Sequence, residues 1–289
     1  MDKEKTEKEM YDLWFEVSGK PSEKALLRLY DPECTELGQG IPADVDRSKT
    51  PMNNGLIVNY QIIPNEDYRG GRTKKRRYVE GVRVVFAQIF KESLTTYNRR
   101  QKRKDRRKDV DTYFDRCHQR WQKTYDSWYI AKKGTPEKDK AYKKIFNYSK
   151  EITIRVGENA KKAPSKMDMD MFAMSFLKWF QEQFPQMQVY LAVVCYDEQE
   201  KRKVDGENIW IGKAPALHIG FIPVALNEDG KGMDKKVGWT KCLKQSMKDD
   251  SGFVFSAFRR KCLAGCAKAA KSAGFKLSYV SNKYEIEDC

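Results

Sequence analysis

Cys195, Asp197 and Glu198 stand at the end of one apolar run, Val189 to Tyr196 (VYLAVVCY), and His218 near the start of the next, Leu217 to Val224 (LHIGFIPV). If the two runs pair as neighbouring strands, a thiol, two carboxylates and an imidazole meet at one sheet edge. Carboxylate oxygens with an imidazole suit hard ions such as Mg²⁺ or Mn²⁺. Such an ion polarises a phosphodiester and neutralises transition-state charge. A thiolate suits softer metals, so Cys195 reads first as a small buried hydrophobe.

A second chemistry is written in charge. The 289 residues carry 56 Lys and Arg against 41 Asp and Glu, a formal charge of +15, and such a balance favours polyanions through steering and counterion release. The surplus is concentrated. Arg99, Arg100, Lys102, Arg103, Lys104, Arg106, Arg107 and Lys108 fill eight of the ten positions of RRQKRKDRRK, and Lys74, Lys75, Arg76 and Arg77 form an earlier cluster. No packed core holds such runs, so they read as phosphate-contacting segments, with DNA the expected partner. No stretch of 18 apolar residues and no signal-like start occurs, which predicts no membrane span and a cytoplasmic location. The seven cysteines are odd in number and lack a CxxC pair, which argues against a disulfide framework or a zinc knuckle.

Several elements must position these groups. Met10, Leu13, Trp14 and Val17 predict a helix over Lys8 to Val17, and a second is expected from Ser22 to Tyr30. Leu56 to Ile63 reads as a strand in a region rich in Pro, Gly, Asn and Asp, so residues 1–78 are expected to be an appendage or small subdomain. The run VRVVFAQIF, Val82 to Phe90, predicts a strand from its β-branched and aromatic content. Phe114, His118, Trp121, Tyr125 and Trp128 recur at helical spacing over Asp111 to Tyr129; this stripe reads as core rather than a base-stacking surface, and His118 as a packing residue. Ile152 to Val156 is a strand. Asp168 is the expected cap of a helix carrying Phe172, Phe176, Trp179, Phe180 and Phe184. A helix from Ser256 to Ala273, stopped by Gly274, sets Cys262 and Cys266 on a close-packing face, and Phe275 to Val280 is a last strand. The order lacks a βαβ rhythm, which predicts an α+β fold with a largely antiparallel sheet.

The stretch from Val82 to Leu277 resembles the Mob/Pre (MobV-type) plasmid mobilisation and recombination relaxases of the HUH endonuclease superfamily. The family pairs a strand ending H-x-D-E with a T-P-H-x-H-x-x-x-x-P strand. Here the corresponding residues are Cys195-Tyr196-Asp197-Glu198 and Ala214-Pro215-Ala216-Leu217-His218, ending at Pro223. Upstream, Tyr97-Asn98-Arg99-Arg100 and Asp109-Val110-Asp111 stand where the family has H-N-x-R and an N-x-D-I-type element. The resemblance implies an HUH-like sheet flanked by helices in residues 79–289. It implies a nicking protein acting on single-stranded DNA or a hairpin origin, with Mn²⁺ or Mg²⁺ held by Glu198 and His218, and with Asp197 and Cys195 as further candidates. Cys195 and Ala216 replace family histidines. Tyr97 replaces another, and tyrosine is the nucleophile in other branches of the superfamily. Asn98, Arg99 and Arg100 would then hold phosphate. The alternatives are a non-catalytic DNA-binding protein on a degenerate relaxase fold, and a rolling-circle replication initiator.

Overall fold

The computed structural model describes residues 10–18, 56–58, 61–63, 74–196, 199–204, 207–227 and 232–279. Leu13 and Phe15 are buried and alternate with Asp12, Trp14 and Glu16. That period of two belongs to a strand. Met10–Ser18 is accordingly β1, not the expected helix, and it pairs with two other strands of the main sheet. Residues 10–18 therefore lie inside the main fold rather than in an appendage. The helix expected over Ser22 to Tyr30 lies outside the described residues. Leu56–Val58 (β2) and Gln61–Ile63 (β3) form a small antiparallel hairpin in place of one strand.

A second correction concerns Val82 to Phe90, which lies inside a 26-residue helix, α1, spanning Lys74–Arg99. Its buried apolar positions among the described side chains are Val82, Val85, Phe86, Phe90 and Leu94, spaced three, one, four and four apart, which is one helical face. Packing of that face overrides local β propensity. The helix also crosses the boundary expected at residue 78. A short 3-10 turn, Lys104–Arg106, interrupts the basic loop before α2, Val110–Ile130, and α3, Pro136–Lys143.

The remaining elements are β4 (Lys150–Val156), α4 (Lys166–Gln183), β5 (Met187–Cys195), the hairpin β6 (Gln199–Val204) and β7 (Glu207–Gly212), β8 (Ala216–Leu226), β9 (Lys235–Val237), α5 (Trp239–Met247), α6 (Val254–Ser272) and β10 (Lys276–Tyr279). In α4 the cap is Ser165, whose hydroxyl accepts from the Asp168 N–H at 3.1 Å and donates to the Asp168 carboxylate at 2.7 Å. Asp168 is thus the third-position residue bonded to the cap rather than the cap itself. The expected stop at Gly274 is present, at φ +92°.

The result is an α+β fold on a mixed, mostly antiparallel sheet in the order β10-β1-β4-β8-β5, with β9 extending β8. Only the β1–β10 pairing is parallel among these. One sheet face, built from Leu13, Phe15, Ile152, Ile154, Val156, Leu217, Ile219 and Phe221, packs against α4, α5 and α6. There Gly265 of α6 meets the Trp179 ring of α4 so closely that a Cβ would lie 2.4 Å from it. Cys262 and Cys266 are buried in this layer, as their spacing on a small-residue face predicts. On the opposite face α1 and α2 cover Tyr190, Ile222, Val224 and Val237 with Phe86, Phe90 and Phe114. Each such phenylalanine contributes roughly 2 kcal/mol by burial. These helices cover that face at the Val224 end of β8, and its Ala216 end carries polar residues.

Candidate functional site

Two places in this fold concentrate chemistry. The first is the junction of α1 and α2. Asn98, on the last turn of α1, donates from Nδ2 to the Lys108 carbonyl at 2.6 Å and accepts from the Lys108 N–H at 2.9 Å. This pair of bonds clamps the base of the loop. Asp109 then caps α2, accepting from Thr112 N–H and Oγ1 at 2.7 and 2.8 Å. These bonds hold its carboxyl below the usual range even in water. The loop between carries its cations outward. Arg103 forks onto Asp105 at 2.7 and 3.1 Å, and Arg100 reaches Asp234 at 3.3 Å. Arg99, Lys102, Lys104, Arg106 and Arg107 are exposed and form no ion pair among the described residues. Lys108 is half-buried, with its ammonium 5.2 Å from the Tyr97 ring centre. Burial, then the nearby Arg116 and Lys236, lower its pKa. Asn98 is therefore a structural clamp at the base of the loop. Lys74, Lys75, Arg76 and Arg77 open α1.

The second place is the sheet face at the Ala216 end of β8. In β4, Glu151, Thr153 and Arg155 alternate with the buried Ile152, Ile154 and Val156. The register sets Thr153 beside His218 on one side and Glu16 on the other, with Glu151 next to Gly220 and Ser18. His218 Nδ1 lies 2.5 Å from Glu151 Oε1, and both side chains are buried, 3% and 1% exposed. The Thr153 hydroxyl donates to the same Glu151 oxygen at 3.2 Å. A carboxylate accepting from Nδ1–H fixes the tautomer and leaves Nε2 as the ring's basic nitrogen, the usual support of a metal-bound or proton-accepting imidazole. Glu151 was missed in the sequence. Its signal was a charge alternating with isoleucines, legible once β4 is read with a period of two.

The expected pairing of Val189–Tyr196 with Leu217–Val224 is present as β5 against β8, with Val193 opposite His218 and Cys195 opposite Ala216. The polar insert between them folds as the β6–β7 hairpin. Asp197 and Glu198 lie outside the described residues. Among the described residues no three His, Cys, Asp or Glu side chains gather as a metal site. His218, the expected ligand whose side chain is described, has the supporting carboxylate of Glu151. His118 packs between Phe114 and Trp121 with Nδ1 3.2 Å from the Tyr148 hydroxyl, a packing role.

Tyr97 and His218 are not brought together. Ser93, one turn before Tyr97, accepts from Lys235 N–H at 3.0 Å, and Arg100, one turn after, pairs with Asp234. Lys235 is in register with Leu226. Tyr97 thus lies by the Leu226 end of β8, and Leu226 is eight residues along that strand from His218, roughly 26 Å at ~3.3 Å per residue. The expected alliance of phenol and imidazole at one centre is not formed by this arrangement.

No helix among the described residues is long and apolar enough to cross a membrane. Compared with family models, with curated proteins and with solved structures, the chain gives no match.

Proposed function

We propose that this chain is a DNA-binding protein that holds the phosphate backbone with the loop between α1 and α2. The observation that supports this reading is the loop itself, clamped at its base by Asn98 yet presenting five cations with no ion-pair partner among the described residues. A preformed cationic turn binds phosphates without first breaking internal ion pairs or ordering a loose chain. Binding of a labelled oligonucleotide, followed by anisotropy between 50 and 200 mM salt, tests it. Affinity falling log-linearly with salt supports the reading, and no binding at 50 mM overturns it.

A second reading, strand cleavage by a relaxase-like or rolling-circle initiator protein, is favoured by the buried Glu151–His218 pair. In that reading His218, with Asp197 and Glu198, would hold Mn²⁺ or Mg²⁺, which supplies charge neutralisation at a phosphodiester. Cys195 is the poorer donor for such ions. Supercoiled plasmid incubated with either ion separates the readings. A covalent protein–DNA adduct that is lost in Tyr97→Phe assigns the phenol as nucleophile. Nicking that survives Tyr97→Phe but not Glu198→Gln moves the nucleophile elsewhere, and salt-sensitive binding without nicking leaves the binding protein alone.

A further inference from the structure

From Phe114 onward α2 carries a run of rings in which four successive rungs are inclined by 31° or less, with Trp128 beside them turned 55° from Tyr125. Phe114 and His118 lie at 7° and 6.2 Å, His118 and Trp121 at 31° and 5.4 Å, Trp121 and Tyr125 at 26° and 5.4 Å, and Tyr125 and Tyr129 at 19° and 6.4 Å. The ladder begins in the core, where Phe114 is fully buried, and it ends in water, where Tyr129 is 72% exposed and Ile130 is 80% exposed. Trp121, Tyr125 and Trp128 are half-buried between these extremes. A core helix would end such a stripe when its cover ends. This one runs on, which corrects the expectation that the whole stripe is core.

Its surroundings are cationic. Arg116, Arg120 and Lys123 are exposed along α2, Lys132 and Lys133 follow its last residue, and the Lys138 ammonium of α3 stands 4.4 Å from the Trp128 ring centre. Residues 99–144 hold seventeen Lys and Arg against seven Asp and Glu, ten of the chain's fifteen surplus charges. Positive charge beside stacked rings with an exposed last rung is complementary to a chain of phosphates bearing flat bases, and to little else. A duplex keeps its base faces covered; a single strand does not.

We infer that the distal half of α2, Trp121 to Tyr129, is a base-stacking platform for single-stranded DNA, entered from the basic loop at the helix's other end. This rests on the DNA-binding reading above and adds to it the class of strand and the groups that touch its bases. From Lys108 to Tyr129 the helix measures roughly 30 Å at ~1.5 Å per residue. That is about nine nucleotides at ~3.4 Å each, within the range of known single-strand sites.

The test uses the full chain with an oligothymidylate of about ten nucleotides and a strand of equal length made of abasic sites, both read by anisotropy. Tyr129 is exposed, so Tyr129→Ala leaves the core untouched. The expected result is about fivefold or greater weakening for the thymidylate, no change for the abasic strand, and an unaltered salt slope. Tyr129→Phe, which keeps the ring, should retain full affinity, and Ile130→Ala, which removes an equally exposed apolar side chain, should have no effect. Equal affinity of Tyr129→Ala and wild type for the thymidylate overturns the platform while phosphate binding stands. Failure of wild type to bind either strand at 50 mM salt overturns the DNA-binding reading, and the platform with it.

Discussion

Replacing Arg99, Lys102, Arg106 and Arg107 together with glutamine removes four exposed cations, none of which has an ion-pair partner among the described residues. The loop should keep its shape, because its geometry is set by Asn98, by the Asp109 cap and by the Arg103–Asp105 pair. If each cation neutralises one phosphate of a single strand, the slope of log affinity against log salt falls by about 0.7 per residue, or about 2.8 in all. Between 50 and 200 mM salt that difference amounts to roughly 50-fold in how far affinity declines. The control carries the same charge change elsewhere. Lys241, Lys268, Lys271 and Lys276 are exposed and sit on or beside α5, α6 and β10, with both helices packed on the other face of the sheet. Their fourfold glutamine variant should keep nearly the wild-type slope. Anisotropy titrations at five salt concentrations give both slopes. Equal loss of slope in the two variants would refute a localised site and leave only diffuse attraction by net charge.

Further outcomes follow from the packing. Glu151→Ala removes the carboxylate that the buried His218 ring faces and should lower stability by about 1–3 kcal/mol in urea unfolding; a stability within 0.5 kcal/mol of wild type would mean that the pair is not maintained in solution. Gly265→Ala drives a methyl group into Trp179 and should cost ~1–3 kcal/mol less any gain in helix propensity. Combining it with Trp179→Leu should recover most of that loss, and strict additivity would contradict the contact. Ser165→Ala removes the α4 cap and should cost about 1 kcal/mol. Burial pushes the Cys117 thiol up to about 11 and Cys242 up to about 12. Thiols whose folded pKa is raised give stability that is complete below the ordinary value near 9 and lost as pH climbs through 11 and 12. A fall in melting temperature above pH 9 that is reduced by Cys242→Ala checks this.

The sequence was legible where one physical signal was unopposed. The strands β4, β5, β8 and β10 and the helices α2, α4 and α6 were expected from apolar runs or helical stripes and are present close to their expected bounds. It was illegible where two periods competed. Over Met10–Ser18, Met10, Leu13, Trp14 and Val17 fit a helix, while Tyr11, Leu13, Phe15 and Val17 fit a strand; neighbours on both sides decide for the strand. Over Val82–Phe90, β-branched residues suggested a strand, while the spacing of Val82, Val85, Phe86 and Phe90 matched the helix that forms. At the site, the β5–β8 pairing and His218 were found from pattern and resemblance. Glu151 was not, because its partner is 67 positions away and only the sheet register joins them. The distance between Tyr97 and His218 was likewise invisible, since it depends on where α1 crosses the sheet.

The position of β1 bears on how the protein is made. Met10 pairs with Lys276 and Leu13 with Tyr279, so β1 is held between β4 and a strand more than 250 residues further along the chain. An early β1–β4 ribbon must wait with one edge unpaired while more than a hundred residues are synthesised, a delay that exposes it to chaperones and to mispairing with other nascent chains. A chain cut short before β10 therefore leaves that edge of β1 uncovered.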